Sequence, residues 1–170
     1  MAVYGVAVAV PDPWAEELQT WRERVGDPLA RAIPPHVTLL PPTEIEDDAL
    51  PRYTEYLRAV GAGHAAFPMH LRGSGTFRPV SPVVFVQVAQ GIPGCEQLER
   101  AVRSGPVERA LEFPYHPHVT VAHHIDEAAL DRAFDGLGAF EARFEVTQFS
   151  LYAHGADEVW RPIQDFTLRG

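Results

Sequence analysis

Two pentapeptides of this chain are nearly the same: Pro35-His36-Val37-Thr38-Leu39 and Pro117-His118-Val119-Thr120-Val121. Composition alone supplies only ~0.1 His-apolar-Thr/Ser-apolar matches in a chain of this length, so a pair arises by chance roughly once in a hundred such sequences. A strand turns residues i and i+2 to the same face. His36 and Thr38 therefore project together, as do His118 and Thr120. Two imidazoles and two hydroxyls converging on one cleft suit in-line displacement at phosphorus. A neutral ring takes the proton of an attacking hydroxyl or water, and a charged ring protonates the departing alkoxide. The Thr hydroxyls donate to the non-bridging oxygens, where negative charge concentrates in the transition state. Neither a metal nor a covalent intermediate is needed for that chemistry.

The pattern of the chain says which elements must position these residues. Val3–Val10 alternates as a strand, with Tyr4, Val6, Val8 and Val10 on one face. Asp12-Pro13 opens a helix carrying Trp14, Leu18, Trp21 and Val25 inward and ending near Gly26. The stretch 36–40 is too short between Pro34-Pro35 and Pro41-Pro42 to be anything but extended. A second helix is predicted from about Asp47 to Val60, stopped by Gly61 and Gly63, and a third over 93–103. Segments 67–71 and 83–88 read as strands flanking a turn or bulge at Gly73–Pro79. Extended chain follows over 114–122, then a short helix over 127–137. Three further strands are centred on Phe144, Leu151 and the run 160–168. Short turns between neighbouring strands favour an α+β fold with antiparallel sheets over a doubly wound parallel sheet.

Composition narrows the functional classes. The chain has 170 residues and a net charge of −9, which argues against a protein that coats nucleic acid through bulk counterion release. All 14 basic residues are Arg, so a catalytic Lys is excluded. The single Cys95 cannot form an intramolecular disulfide, which suits a reducing cytoplasm. The apolar start lacks the basic flank of a signal peptide, and no run reaches the ~18 apolar residues of a membrane span. A cytoplasmic protein, with no membrane partner, is expected.

The duplicated His-x-Thr-x motif resembles the 2H phosphoesterase superfamily, specifically the bacterial RNA 2′,3′-cyclic phosphodiesterases also called 2′-5′ RNA ligases (LigT-like). Gly75-Thr76-Phe77 followed by Val83–Val86 is similar to the segment between that family's two motifs, and Phe144–Leu151 with the closing strand to its C-terminal hairpin. The resemblance implies one bilobal domain over 1–170. Two pseudo-symmetric lobes with antiparallel sheets would surround a central cleft, with helices on the outer faces. It also implies RNA processing: opening of 2′,3′-cyclic phosphates on RNA ends or nucleotides to 2′-phosphates, without cofactor or metal. His36 would be the proton donor, His118 the acceptor, and Thr38 and Thr120 the phosphate-binding residues. The alternatives are 2′-5′ RNA ligation in reverse, hydrolysis of a small cyclic-phosphate metabolite, or binding of a phosphorylated nucleotide without turnover. Many relatives carry an Arg soon after the second motif, whereas this chain has His123-His124; that predicts a weaker grip on an extended RNA backbone.

Candidate substrate contacts beyond the motifs are Tyr4, Phe77, Arg78 and His116. Tyr4 and Phe77 compete with ordinary roles as core aromatics, and Arg78 with that of a solvated cation. His116 shares a strand face with His118, but no third ligand with metal-site spacing accompanies them, so no metal site is expected. Trp14, Trp21 and Trp160 read as packing residues. A monomer is expected.

Overall fold

A computed structural model describes residues 2–170. Its elements are β1 (Ala2–Ala9), α1 (Trp14–Arg24), β2 (His36–Ile45), α2 (Leu50–Gly63), β3 (Phe67–Thr76), β4 (Val83–Gln90), α3 (Ile92–Val102), β5 (His118–His123), α4 (Glu127–Gly136), β6 (Glu141–Val146), β7 (Gln148–His154) and β8 (Trp160–Thr167). The fold is α+β. The strands form two four-stranded antiparallel sheets, in the orders β2-β1-β7-β8 and β5-β4-β3-β6. Both motif strands, β2 and β5, lie at a sheet edge.

The halves repeat a β–α–β unit, β1-α1-β2 in one and β4-α3-β5 in the other. Each connecting helix packs on the other half's motif strand, α1 against β5 and α3 against β2, and β2 also packs against β5. This exchange holds the two edges together. One apolar cluster, drawn from all eight strands, runs beneath both sheets.

Local burial sets the facing of the motifs. Val37, Leu39, Val119 and Val121 are buried, while His36, Thr38, His118 and Thr120 are half-buried on the opposite faces. A slip of one residue would exchange those faces. Burying each Val or Leu is worth about 1.5–3 kcal/mol, so the apolar partners decide where the polar ones point.

Three expectations from sequence are corrected. Pro41-Pro42 does not close the extended stretch, since β2 runs through both to Ile45. An edge strand tolerates residues without an N–H. Gly61 does not stop α2, which continues to Gly63. It sits where the helix crosses β8, and a Cβ there would lie 2.7 Å from the Thr167 carbonyl oxygen. In α1 the buried side chains are Leu18 and Arg22, while Trp14 and Trp21 are only half-buried.

Candidate active site

The proline that leads each pentapeptide helps to orient the histidine behind it. A residue before proline is held extended, and its carbonyl comes back within reach of the imidazole. His36 Nδ1 lies 2.7 Å from the Pro34 oxygen and His118 Nδ1 lies 2.6 Å from the His116 oxygen. A carbonyl can only accept, so Nδ1 carries the proton in both rings. Each Nε2 is then left with a lone pair when the ring is neutral. The same local device thus selects the same tautomer twice.

His36 and His118 line one cleft of about 350 Å³, together with Thr120, Phe77, Ser81, Val83, His123, Arg22, Asp27, Ile33 and Trp160. Thr38 stands two residues beyond His36 on β2, and its backbone carbonyl accepts a 2.7 Å hydrogen bond from the Tyr115 hydroxyl. That bond ties the segment before the second motif to the first motif itself. Among the described residues, neither the Thr38 nor the Thr120 hydroxyl has a hydrogen-bond partner.

The two imidazoles have different surroundings. Trp160 stacks on His36 with ring centroids 4.6 Å apart and planes 26° apart. Phe77 meets His118 edge-on, 5.0 Å away at 90°, and Phe85 lies 5.2 Å from the same ring. Gly75 makes room for that aromatic group, since a Cβ there would be 2.6 Å from the Phe85 ring. Burial pushes His36 down to about 4; the positive charge of Arg22 and the proximity of His118 act the same way, and the bond to Pro34 opposes them. Burial also lowers His118, with His116 adding to the effect and the bond to the His116 carbonyl opposing it. His123 is lowered by burial as well, against the attraction of Asp27.

The other sequence candidates lie around this cleft in different ways. Phe77 lines it. His116 packs against Phe77 and Phe85, with centroids at 5.4 and 5.3 Å, and is not part of the lining. The Arg78 guanidinium is held outside the lining by α4, 2.8 Å from Asp131 and 3.2 Å from Glu127, with a further bond to Thr76. Tyr4 is half-buried against the apolar cluster, also outside the lining. No group of three or more His, Cys, Asp or Glu among the described residues could hold a metal ion, and no helix among them is long and apolar enough to cross a membrane.

The sequence matches the family model of the 2′-5′ RNA ligase superfamily over residues 10–158. A protein of Halalkalibacterium halodurans that carries a provisional phosphoesterase name is 30% identical over 82% of this chain and 79% of its own length. The chain belongs to the 2′-5′ RNA ligase superfamily. The fold agrees. Escherichia coli LigT, solved with 3′-AMP, superposes with a TM-score of 0.76 at 20% identity over 99% of both chains. A Thermus thermophilus protein does so at 0.70 and 22%, over 99% of this chain and 98% of its own. LigT has also been solved with phosphate, ATP and NADP+.

In this member of the superfamily, the cleft residues that sequence reading misses are Arg22, Asp27, Ile33, Ser81, Val83, His123 and Trp160. Trp160 reads as a packing residue because a lone tryptophan at the start of a strand carries no spacing signal. Arg22 does leave a trace, because it lies four residues beyond Leu18 and so shares its helix face.

Proposed function

We propose that this superfamily member is a phosphodiesterase that opens 2′,3′-cyclic phosphates of RNA ends or nucleotides to 2′-phosphates. The observation carrying this reading is the pair of histidines in one cleft, each held as the Nδ1–H tautomer by the carbonyl two residues back. His118 Nε2 accepts a proton from the attacking water as the new P–O bond forms. His36 Nε2–H protonates the departing 3′ oxygen as its bond to phosphorus breaks. Thr38 and Thr120 steady the non-bridging oxygens. Burial lowers both rings. In the free protein at neutral pH both rings are neutral. An anionic phosphate favours the imidazolium, so the donor's proton is taken up with the substrate.

The size of the cleft and the −9 net charge favour a cyclic mononucleotide or a short RNA end over a long polynucleotide. Attack on the same cyclic phosphate by the 5′-hydroxyl of a second RNA end, in place of water, would form a 2′-5′ phosphodiester as the bond to the 3′ oxygen breaks. That is the 2′-5′ ligase reaction, with each histidine in the same role. The test is hydrolysis of 2′,3′-cyclic AMP by protein in EDTA, beside the double variant His36→Ala/His118→Ala. A 2′-phosphate product from the wild type alone supports the reading. Product from both proteins, or from neither across cyclic mononucleotides and cyclic-ended oligoribonucleotides, sinks it.

A further inference from the structure

Arg22 is 4% exposed and lines the cleft. It is an α1 side chain, yet all of its bonds go to the loop that leads into β2. Nε pairs with Asp27 at 3.2 Å, Nη2 donates to the Leu29 carbonyl at 3.1 Å, and Nη1 donates to the Ile33 carbonyl. Asp27 in turn accepts from the Leu29 amide at 2.9 Å. The same loop is pinned to β8, because the Trp160 amide donates to the Ala32 carbonyl at 2.9 Å. Ile33 precedes Pro34, whose carbonyl holds His36 Nδ1. A continuous set of bonds therefore runs from one guanidinium to the carbonyl that orients a motif imidazole.

We propose that Arg22, through its ion pair with Asp27 and its hold on the Leu29 and Ile33 carbonyls, is a positioning residue for His36. The proposal rests on the phosphodiesterase reading for its consequence in catalysis, but its structural content stands apart from any substrate. A planar guanidinium is suited to the task. It presents donors in a fixed fork, whereas an ammonium offers them from one point. The ion pair is nearly inaccessible, at 5% and 3% side-chain exposure, so solvent screens it little. Its cation is also sensed at His36, where it opposes a second positive charge. The charged and titratable groups around His36 are Arg22 and Asp27 from the α1 side and His118 and His123 from β5. His154 lies on the Trp160 ring that covers His36, with centroids 5.9 Å apart.

The test is nitrogen-15 NMR of the His36 ring across pH 4 to 8, its signal assigned by loss in His36→Gln. It is applied to the wild type, to Arg22→Lys and to Arg22→Met/Asp27→Asn. The double variant removes both charges, so no unpaired buried charge remains to unfold it, and the carboxamide introduced at position 27 keeps an oxygen for the Leu29 amide. The wild type is expected to hold the Nδ1–H tautomer with a depressed midpoint. Arg22→Lys keeps the charge and loses the fork: tautomers mix, the midpoint moves little, and kcat on the cyclic phosphate falls more than KM changes. In Arg22→Met/Asp27→Asn the tautomers mix and the midpoint departs from that of the wild type. Wild-type tautomer and midpoint in the folded double variant would overturn the proposal. If that variant does not fold, a wild-type tautomer in folded Arg22→Lys overturns it instead. Failure of the wild type to hydrolyse any cyclic phosphate would sink the phosphodiesterase reading and leave this measurement valid.

Discussion

The two β–α–β units of this protein match in backbone and differ in charge. Each presents a histidine at a sheet edge, in the same tautomer, held by the same local bond. In the first unit the connecting helix buries a cation, Arg22, paired with Asp27. In the second it buries an anion, Glu99 at 5% side-chain exposure, paired with Arg103 at 29%. Trp160 lies flat on His36, whereas aromatic edges surround His118. Duplicating a motif thus duplicates position without duplicating proton affinity. The proposed acid–base chemistry gives the two rings different tasks, since one must give a proton while the other takes one.

The largest effect that would probe this pairing is loss of either ring. His36→Ala and His118→Ala should each reduce cyclic phosphate hydrolysis by at least ~10³-fold while the circular dichroism spectrum stays unchanged. Substantial activity in one single variant would mean that the halves are not partners. Next come the hydroxyls: Thr38→Ala and Thr120→Ala should each cost roughly 10²-fold in kcat, the scale of one lost transition-state donor. A loss confined to Thr120 would indicate that only the cleft-lining hydroxyl contacts phosphate, and would sharpen the asymmetry.

The pH profile tests the charge difference directly. With His36 near 4 and His118 below its ordinary 6.5, kcat/KM should be bell-shaped with a maximum on the acid side of pH 6.5. Activity falls below the maximum as His118 becomes protonated, and above it as His36 loses its proton. A maximum above pH 7 would show that the free protein does not hold its histidines in this state. The smallest expected change is at the aromatic partners. Trp160→Leu should lower kcat/KM by a few-fold to about tenfold, the worth of one stacked aromatic pair. Phe77→Leu should do less, because its edge-on contact is shared with Phe85. Equal losses would mean that stacking on His36 has no special part.

Much of the fold is legible in the sequence because burial imposes period. The alternation at Val3–Val10 and Phe140–Val146 and the helical spacing over 93–103 each reappear within a few residues of their predicted bounds. The misreadings share a physical cause, since Pro41-Pro42 and Gly61 mislead when judged by local propensity. What decides them is tertiary: an edge position that needs no N–H, and the passage of α2 over the Thr167 carbonyl. At the site, the motif residues stand out because duplication is visible in one dimension. Arg78 has the composition of a phosphate contact, but two α4 carboxylates hold it elsewhere. Arg22, Asp27 and Trp160 are ordinary residue types at spacings that carry no signal of a cleft.

By itself the sequence determined the two motif strands, the facing of His36, Thr38, His118 and Thr120, and the tautomer device written into each Pro-His pair. All of these depend on neighbours within a few positions along the chain. Only the tertiary structure decided that α1 would cross to β5 and α3 to β2, and that a buried arginine would stand beside one histidine but not the other. Proton affinity in a cleft depends on burial and on charges that arrive from distant parts of the chain. That information comes into being only when the chain folds.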